Sequence, residues 1–406
     1  MQKILDKSKR LILEISTDFV RDMVSEIDWN QRLVWIVWYR WVWKTTILLQ
    51  YLKINKIKSS IYFSADHFNI LEKWLYNLIE ELYLQNWITT FFIDEIHKYQ
   101  NWNQELKNVY DDFPKIKIVF SWSSSIDLMK WKYDLSRRLV IYKIQWFSFR
   151  EYLNKVKNLE LEKINSQEII KNYQEISESI YEKIWDEIIF LFKKYLENWY
   201  YPFSFESEEK EIFFNKVNWT IDKIIYEDVS NSYSLNTSSL ENIKKTIIFF
   251  AFSKPWELSI NALKERLQVS YDTMVKYLDI LKDIWIINSV YPKWKIWHTI
   301  RKSKKILIDN SNLIFSINEE VWKWVEIWSL REIFFINQVK KTEKVFYSCV
   351  WDYILDIKWK EFIFEIWWKN KKIKQIKNVE NSFIVKDDII FWWNGNIPLW
   401  IFWFLY

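Results

Sequence analysis

The chain has 406 residues, of which 50% are hydrophobic and 27% are charged, and its formal net charge is +5. This length predicts two to three domains with ample core, and the mildly basic balance is compatible with a nucleic-acid partner without indicating one. The single cysteine, Cys349, excludes an internal disulfide and a cysteine-based zinc site. The apolar runs are too short to span a bilayer and the charged N-terminus is no signal peptide, so we expect a cytoplasmic protein without a membrane partner.

Glycine is nearly absent from the chain, whereas tryptophan is abundant: there are 1 Gly and 29 Trp. Ordinary usage is about 7% glycine, which would be roughly 28 residues in a chain of this length. The tryptophans alone nearly equal that number. We therefore hypothesise that the gene reads UGA as glycine and was translated with UGA read as tryptophan, a few tryptophans being genuine. The alternative is a truly tryptophan-rich protein.

The first part of the chain alternates between helical and strand-like patterns. Residues 1–27 have apolar side chains at helical spacing and predict an amphipathic helix. Five strand-like runs follow, at residues 33–37, 60–63, 89–93, 116–120 and 139–142. Such alternation predicts a parallel sheet with helices on both faces, and ligands of such sheets bind at the carboxyl ends of the strands.

The loop after the first strand has the layout of a phosphate-binding loop. It reads Trp38-Tyr39-Arg40-Trp41-Val42-Trp43-Lys44-Thr45, and Thr46 continues into a helix-forming run. With glycine at Trp38 and Trp43 this becomes G-x-x-x-x-G-K-T, the Walker A signature, in which Lys44 would reach the β and γ phosphates of ATP and Thr45 would bind Mg²⁺. We take residues 38–46 as the nucleotide-binding loop. Indoles at Trp38 and Trp43 would fill the anion site, so we expect the chain as printed not to bind ATP.

Polar residues end two later strands of the same predicted sheet. Asp94 and Glu95 follow an apolar strand in the form of a Walker B motif, where Asp94 would bind Mg²⁺ and Glu95 would polarise the attacking water. After the next strand, Ser123 is our first choice for a sensor of the γ phosphate and Ser121 the second, with a plain serine-rich turn as the alternative. Further along lie Arg137 and Arg138, one of which could act as an arginine finger, although paired arginines are more often solvated surface groups.

Two blocks of sequence carry a resemblance to a known family. They are FIDEIHKYQNWNQELKNVYDDFP and FSWSSSIDLMKWKYDLSRRLVIYKIQWFSFREYL. The chain resembles the predicted ATPases of the AAA+ superfamily, in the archaeal-type branch that joins an ATPase to a C-terminal winged-helix and nuclease-like region. The resemblance assigns Lys44, Thr45, Asp94 and Glu95 to the nucleotide site. It places glycine at Trp38, Trp41, Trp43, Trp122, Trp131 and Trp146, and a genuine tryptophan at Trp102.

The second half of the chain is helical and then strand-rich. The residue pattern of the segment 258–287 predicts a helix-turn-helix that leads into a wing strand. A glycine at Trp285 would end the second helix in a left-handed conformation. The outward face of that helix is not strongly basic, so this pattern supports binding to a protein nearly as well as binding to DNA. Further on, Asp352, Glu365 and Lys369 are similar to a nuclease-like metal site, but three residues instead of one separate Glu365 from Lys369.

We therefore expect an α/β protein: a P-loop NTPase parallel sheet with helices on both faces, followed by a winged helix and a small α/β nuclease-like domain. The predicted divisions are an N-terminal helix (1–27), the AAA+ ATPase domain (28–155), a helical extension (156–241), the winged helix (242–300) and the nuclease-like domain (301–406). We expect hydrolysis of ATP with Mg²⁺ to drive or gate the C-terminal half. The alternatives are a nucleotide-gated switch that binds nucleic acid or protein with little turnover, and an ATP-gated, Mg²⁺-dependent nuclease. DNA, a protein or further copies of the chain are the candidate partners.

Overall fold

The computed structural model describes residues 1–37, 42–67, 70, 74–122, 135, 137–206, 209–253, 260–293, 305–321, 327–348, 350–367, 379–391 and 396–406. The chain divides into two compact units, Met1–Trp146 and Phe147–Tyr406. No helix among these residues is long and apolar enough to cross a membrane.

The first unit is built on a five-stranded sheet. Its strands are β1 (Leu33–Val37), β2 (Ser60–Ser64), β3 (Thr90–Asp94), β4 (Lys117–Trp122) and β5 (Val140–Lys143). Their order is β2-β3-β4-β1-β5, and all four pairings are parallel. Each predicted strand is present within two residues of its predicted bounds. The parallel sheet of the P-loop NTPase fold is therefore confirmed.

Two helices, α1 (Gln2–Glu14) and α2 (Met23–Glu26), precede β1. Three more provide crossovers of the kind that parallel strands require: α3 (Lys44–Asn55), α4 (Leu75–Asn86) and α5 (Trp102–Asp112). Every residue of β1 is buried, as is typical of a central strand covered on both faces. This burial explains why β1 is a continuous apolar run in the sequence.

The N-terminal segment forms two helices, α1 and α2, instead of the single helix expected over residues 1–27. The chain leaves helical geometry at Ile15, which is extended with ψ of 131°. On α3, Lys53 Nζ donates to two carbonyls at the end of α1, at 2.8 and 2.6 Å. Gln50 Nε2 donates to two more carbonyls in the segment that follows, at 2.9 and 2.8 Å. Lys53 thus satisfies carbonyls at the end of α1, which have no partner within the helix.

The second unit begins with helices. They are α6 (Phe149–Lys157), α7 (Ser166–Ile184), α8 (Ile188–Asn198), α9 (Lys210–Lys223), α10 (Ser230–Tyr233), α11 (Thr237–Phe252), α12 (Ile260–Leu267), α13 (Tyr271–Asp283), α14 (Ser311–Val321) and α15 (Ile327–Thr342). A π-helical turn, Ile224–Val229, joins α9 to α10. Ser148 caps α6 through a capping box with Glu151, in which each side chain accepts from the other residue's backbone N–H.

A seven-stranded mixed sheet completes the second unit. Its strands are β6 (Ile287–Pro292), β7 (Lys305–Ile308), β8 (Lys344–Tyr347), β9 (Tyr353–Ile357), β10 (Lys360–Trp367), β11 (Ser382–Lys386) and β12 (Asn396–Pro398). The order is β12-β11-β10-β9-β8-β6-β7. Helices α12 and α13 with the antiparallel pair β6 and β7 are compatible with the predicted winged helix. Because β6 also pairs with β8, the boundary expected near residue 300 falls inside one sheet, and the finer division into domains stays a prediction.

The core of the second unit is aromatic. A buried 3-10 helix, Leu399–Phe404, ends the chain and carries Trp403. The Trp403 ring lies 4.1 Å from Phe334 of α15 and 4.2 Å from Tyr195 of α8, measured between centroids. The C-terminal segment therefore packs against α8 and α15, two helices of this unit that are far apart in sequence.

Among the residues that the structure describes, five tryptophans adopt positive φ, a region that costs a residue with a Cβ about 1–2 kcal/mol. They are Trp43, Trp87, Trp185, Trp285 and Trp359. Trp285 follows α13 and is part of a Schellman motif, because its N–H donates to Lys282 O and the N–H of Ile286 donates to Leu281 O, both at 3.0 Å. Glycine is the usual residue at this place, and the left-handed end expected at Trp285 is observed.

Candidate functional site

The candidate site lies at the carboxyl edge of the first sheet. Lys44 and Thr45 begin α3, after the loop that follows β1, and Asp94 is the last residue of β3. Both Lys44 and Asp94 are buried. Because the carboxyl ends of parallel strands share one edge, residues that are about fifty positions apart in sequence become neighbours.

Three hydroxyl groups surround the carboxylate of Asp94. Thr45 and Tyr62 both donate to Oδ2, the latter at 3.0 Å. Ser121, in β4, donates to Oδ1. The donors come from α3 and from the two strands that flank β3, so the orientation of the carboxylate is fixed from both sides.

Glu95 lies between Asp94 and Lys44. Its backbone N–H donates to Asp94 Oδ1 at 3.1 Å and to Ser121 Oγ at 3.2 Å. Its Oε1 is 3.7 Å from Lys44 Nζ, and its Oε2 is 3.3 Å from Nδ1 of His97. The side chain of Glu95 is 29% exposed, which leaves it open to a water molecule. The residues of the two predicted Walker motifs therefore contact each other through side chains.

Trp43 precedes α3 as its N-cap residue, with φ of 64° and ψ of 35°. This left-handed geometry is the one that glycine adopts without steric cost. Val42, beside it, is buried, and its carbonyl lies 3.5 Å from Nη1 of Arg21. Trp38, Tyr39, Arg40 and Trp41 lie outside the described residues, as do Ser123 and Trp131.

Sequence reasoning missed Tyr62 and Arg21. Arg21 is buried and its Nη2 donates to the carbonyls of Gln145 and Trp146, at 2.9 Å each. It thus ties the N-terminal segment to the end of the phosphate loop and to the segment after β5. Neither residue stands in a recognisable motif, and only the folded contacts reveal them.

The described residues fit Mg·ATP in their chemistry. The N-terminus of α3 and the Lys44 ammonium favour an anion, since helix N–H groups and the helix dipole both attract negative charge. Mg²⁺ prefers hard oxygen ligands, and the Thr45 hydroxyl and Asp94 carboxylate supply them. A bulky side chain at residue 43 does not fit a loop whose backbone must approach the phosphates.

The paired arginines differ in their contacts. Arg138 forms a bidentate ion pair with Asp111, with Nε–Oδ1 and Nη2–Oδ2 distances of 3.0 Å each, and lies over the Tyr110 ring. Arg137 is exposed. Of the two, Arg137 is therefore the one available to another molecule.

The acids predicted for a nuclease-like site are both engaged. Asp352 Oδ2 accepts from the backbone N–H of Ile366 at 2.8 Å, and the buried Glu365 accepts from the indole N–H of Trp367 at 3.1 Å. Lys369 lies outside the described residues. Within the described ranges, no group of three or more His, Cys, Asp or Glu side chains is arranged to hold a metal ion.

Other charges in the second unit are paired internally. Glu332 of α15 binds Lys305 and accepts from the Tyr353 hydroxyl at 2.5 Å. Arg331 binds Asp387 at 2.7 Å, and both of these side chains are about nine-tenths buried, at 10% and 9% exposure. These pairs stabilise α15 against the mixed sheet.

Comparison with known proteins finds a family model that matches part of the chain. Residues 30–153 match the family model described as an AAA domain. The uncharacterized protein MJ1637 of Methanocaldococcus jannaschii is 28% identical over 302 residues, which cover 71% of this chain and 63% of that protein. The chain thus spans less than two thirds of that relative's length.

Solved structures match weakly. AMPPCP-bound DnaA from Aquifex aeolicus is 16% identical, with 68% of this chain and 88% of that chain covered and a TM-score of 0.27. The ADP complex of Hsp104 from S. cerevisiae is 13% identical, with 69% and 39% covered and a TM-score of 0.29. TM-scores this low do not establish a shared arrangement over the aligned length. The family match and the parallel sheet support a P-loop domain of the AAA type over residues 30–153.

Proposed function

We propose that the native protein binds Mg·ATP at the edge of the first sheet and hydrolyses it. The observation that carries this proposal is the convergence of Lys44, Thr45, Asp94 and Glu95 on one point, with Thr45 bonded to Asp94 and Lys44 3.7 Å from Glu95. A structural ion pair alone would not require the phosphate-loop spacing or the N-terminus of a helix beside it.

Each residue has a distinct role in this reaction. Lys44 binds the β and γ phosphates as a cation, and Thr45 and Asp94 hold the metal ion through oxygen atoms. Mg²⁺, when bound, neutralises charge on the phosphate oxygens. Glu95 orients the water that attacks the γ phosphorus and accepts its proton, while the bond to the β-γ bridging oxygen breaks and ADP leaves.

We further propose that residues 38, 41 and 43 are glycine in the native protein. The left-handed backbone of Trp43 supports this, as do four more tryptophans at positive φ. The exposed fractions of Trp87, Trp185 and Trp359 are 80%, 66% and 92%, so these side chains do not belong to a hydrophobic core. By contrast, Trp102, the first residue of α5, is 4% exposed and its ring lies 5.6 Å from that of Phe120, as expected of a genuine tryptophan.

The experiment compares three full-length proteins: the chain as printed, a chain carrying Trp38→Gly, Trp41→Gly and Trp43→Gly, and that glycine-loop chain with Glu95→Gln. We expect the printed chain not to bind ATP and the glycine-loop chain to bind and hydrolyse it. The Glu95→Gln variant should retain bound ATP and lose turnover by about a hundredfold or more. Micromolar affinity in the printed chain would refute the steric argument. Binding without turnover in the glycine-loop chain would favour a nucleotide-gated switch over an enzyme.

The coupling to the second unit stays part of the proposal. We expect the nucleotide state to drive or gate residues 147–406, and a winged helix within that unit would bind DNA or protein. The exposed positions of α13 include both acids and bases, such as Asp272, Lys276 and Asp279, and this mixed charge does not favour DNA over protein.

A further inference from the structure

Tyr62 links the edge strand of the first sheet to the carboxylate that the proposed function assigns to the metal. Its side chain is 6% exposed, and its hydroxyl donates to Asp94 Oδ2 at 3.0 Å. Its backbone N–H donates to Oγ of the buried Ser8 in α1 at 2.9 Å. The residue is thus held at its backbone by α1 and at its hydroxyl by Asp94.

The position of Tyr62 follows from the strand pairing. In the parallel register of β2 and β3, Tyr62 is opposite Phe92 and Ser64 is opposite Asp94. A tyrosine two residues back along the neighbouring strand is long enough for its hydroxyl to reach the Asp94 carboxylate. A phenylalanine at residue 62 would fill the same buried space but would donate nothing to Asp94.

The hydroxyl of Tyr62 is poorly explained by packing alone. Its neighbours in β2, Ile61 and Phe63, are buried and apolar, and burying a hydroxyl is unfavourable unless it is hydrogen-bonded. Burial and the nearby charge of Asp94 raise the pKa of Tyr62. A tyrosine hydroxyl is in any case protonated at neutral pH, so it remains a donor.

We propose that Tyr62 is a positioning residue for Asp94 in Mg·ATP binding. The proposal rests on the function proposed above. Thr45 and Tyr62 share Oδ2, and Ser121 holds Oδ1, so the carboxylate is fixed by donors from three elements. Without the Tyr62 hydroxyl, Thr45 is the remaining donor to Oδ2 among the described residues, and Thr45 is itself assigned to the metal ion.

The test measures how Mg²⁺ and ATP binding depend on each other, and not only turnover. In the glycine-loop chain, Tyr62→Phe should raise the Mg²⁺ concentration for half-maximal ATP binding about tenfold, which corresponds to ~1.4 kcal/mol. The affinity for ATP in EDTA should stay within about twofold. The matched control is Tyr99→Phe, which removes another tyrosine hydroxyl bonded to a carboxylate, that of Glu105, in the same unit. This control should leave the Mg²⁺ midpoint unchanged.

Two further measurements separate positioning from a general structural role. Far-ultraviolet circular dichroism and thermal unfolding will show whether Tyr62→Phe is folded. In an Asp94→Asn background, Tyr62→Phe should have no further effect on the Mg²⁺ midpoint, because the double-mutant cycle isolates the contact between the two residues. If Tyr62→Phe leaves the Mg²⁺ midpoint unchanged, or shifts it equally with Asp94 present and in the Asp94→Asn background, the positioning proposal is overturned. The proposed ATPase function is not affected by either result. Failure of the parent glycine-loop chain to bind ATP at any Mg²⁺ concentration overturns both.

Discussion

Replacing Trp185 with glycine should stabilise the protein as printed, which is the reverse of the usual effect of removing a tryptophan. Trp185 follows α7 with φ of 59° and ψ of −154°, and is 66% exposed. This backbone region is populated essentially by glycine alone, and other residues held there are strained by about 1–3 kcal/mol.

The magnitude follows from three contributions. Relief of strain at the upper end of that range gives about 3 kcal/mol. Greater freedom of the unfolded chain with glycine offsets roughly 1 kcal/mol. The loss of the ring contact with Tyr181, whose centroid is 6.0 Å away, offsets about 0.5 kcal/mol more. We therefore expect Trp185→Gly to raise the free energy of unfolding by about 1 to 1.5 kcal/mol.

The assay is urea denaturation followed by far-ultraviolet circular dichroism, with Trp102→Gly as the matched control. That same change at the first residue of α5 should lower stability by about 3–5 kcal/mol, because it removes a buried side chain. Opposite signs at the two positions are the expected result. Destabilisation at residue 185 by 1 kcal/mol or more would refute the argument from backbone conformation.

Three other changes test separate parts of the structure. In the glycine-loop chain, Arg137→Ala should lower kcat about a hundredfold or more if Arg137 supplies an arginine finger. Arg138→Ala should leave kcat within about twofold, because Arg138 is engaged with Asp111. Equal effects of the two variants in a steady-state ATPase assay would contradict this distinction. Arg331→Ala should lower the stability of the second unit by about 3–5 kcal/mol, because it leaves the Asp387 carboxylate buried and unpaired. The double variant Arg331→Met with Asp387→Leu should recover most of that lost stability, as measured by chemical denaturation. No recovery would argue against the ion pair as the cause. Supercoiled DNA should stay uncut with Mg²⁺ or Mn²⁺, because Glu365 is buried; metal-dependent cutting that Glu365→Ala abolishes would instead support the nuclease.

The first sheet could be predicted from the sequence because its signals are local. Apolar runs of five or six residues separated by helical segments define β1 to β4. The phosphate-loop spacing predicted Lys44 and Thr45 as candidate site residues even with tryptophan at the glycine positions. The polar ends of β3 likewise identified Asp94 and Glu95. These inferences needed no knowledge of which strands are neighbours.

What the sequence did not reveal depends on contacts between distant segments. Tyr62 reaches Asp94 only because β2 and β3 pair in one particular register. In the same way, β6 joins β8 across about fifty residues of intervening chain, which the periodicity of either strand does not encode. At the end of α1, Lys53 of α3 binds carbonyls from a segment about forty residues away in sequence. Local pattern predicts elements well, but register and side-chain partners require the fold.

The most direct test is peptide mass spectrometry of the protein from its natural source, covering positions 38, 41, 43, 122 and 102. We predict glycine at the first four positions and tryptophan at position 102. That result would give the native protein an intact phosphate loop beside Lys44, Thr45, Asp94 and Glu95, as the proposed ATPase requires. Tryptophan at all five positions would contradict the account, since the phosphate cradle would be filled and the protein would be a non-catalytic binding protein.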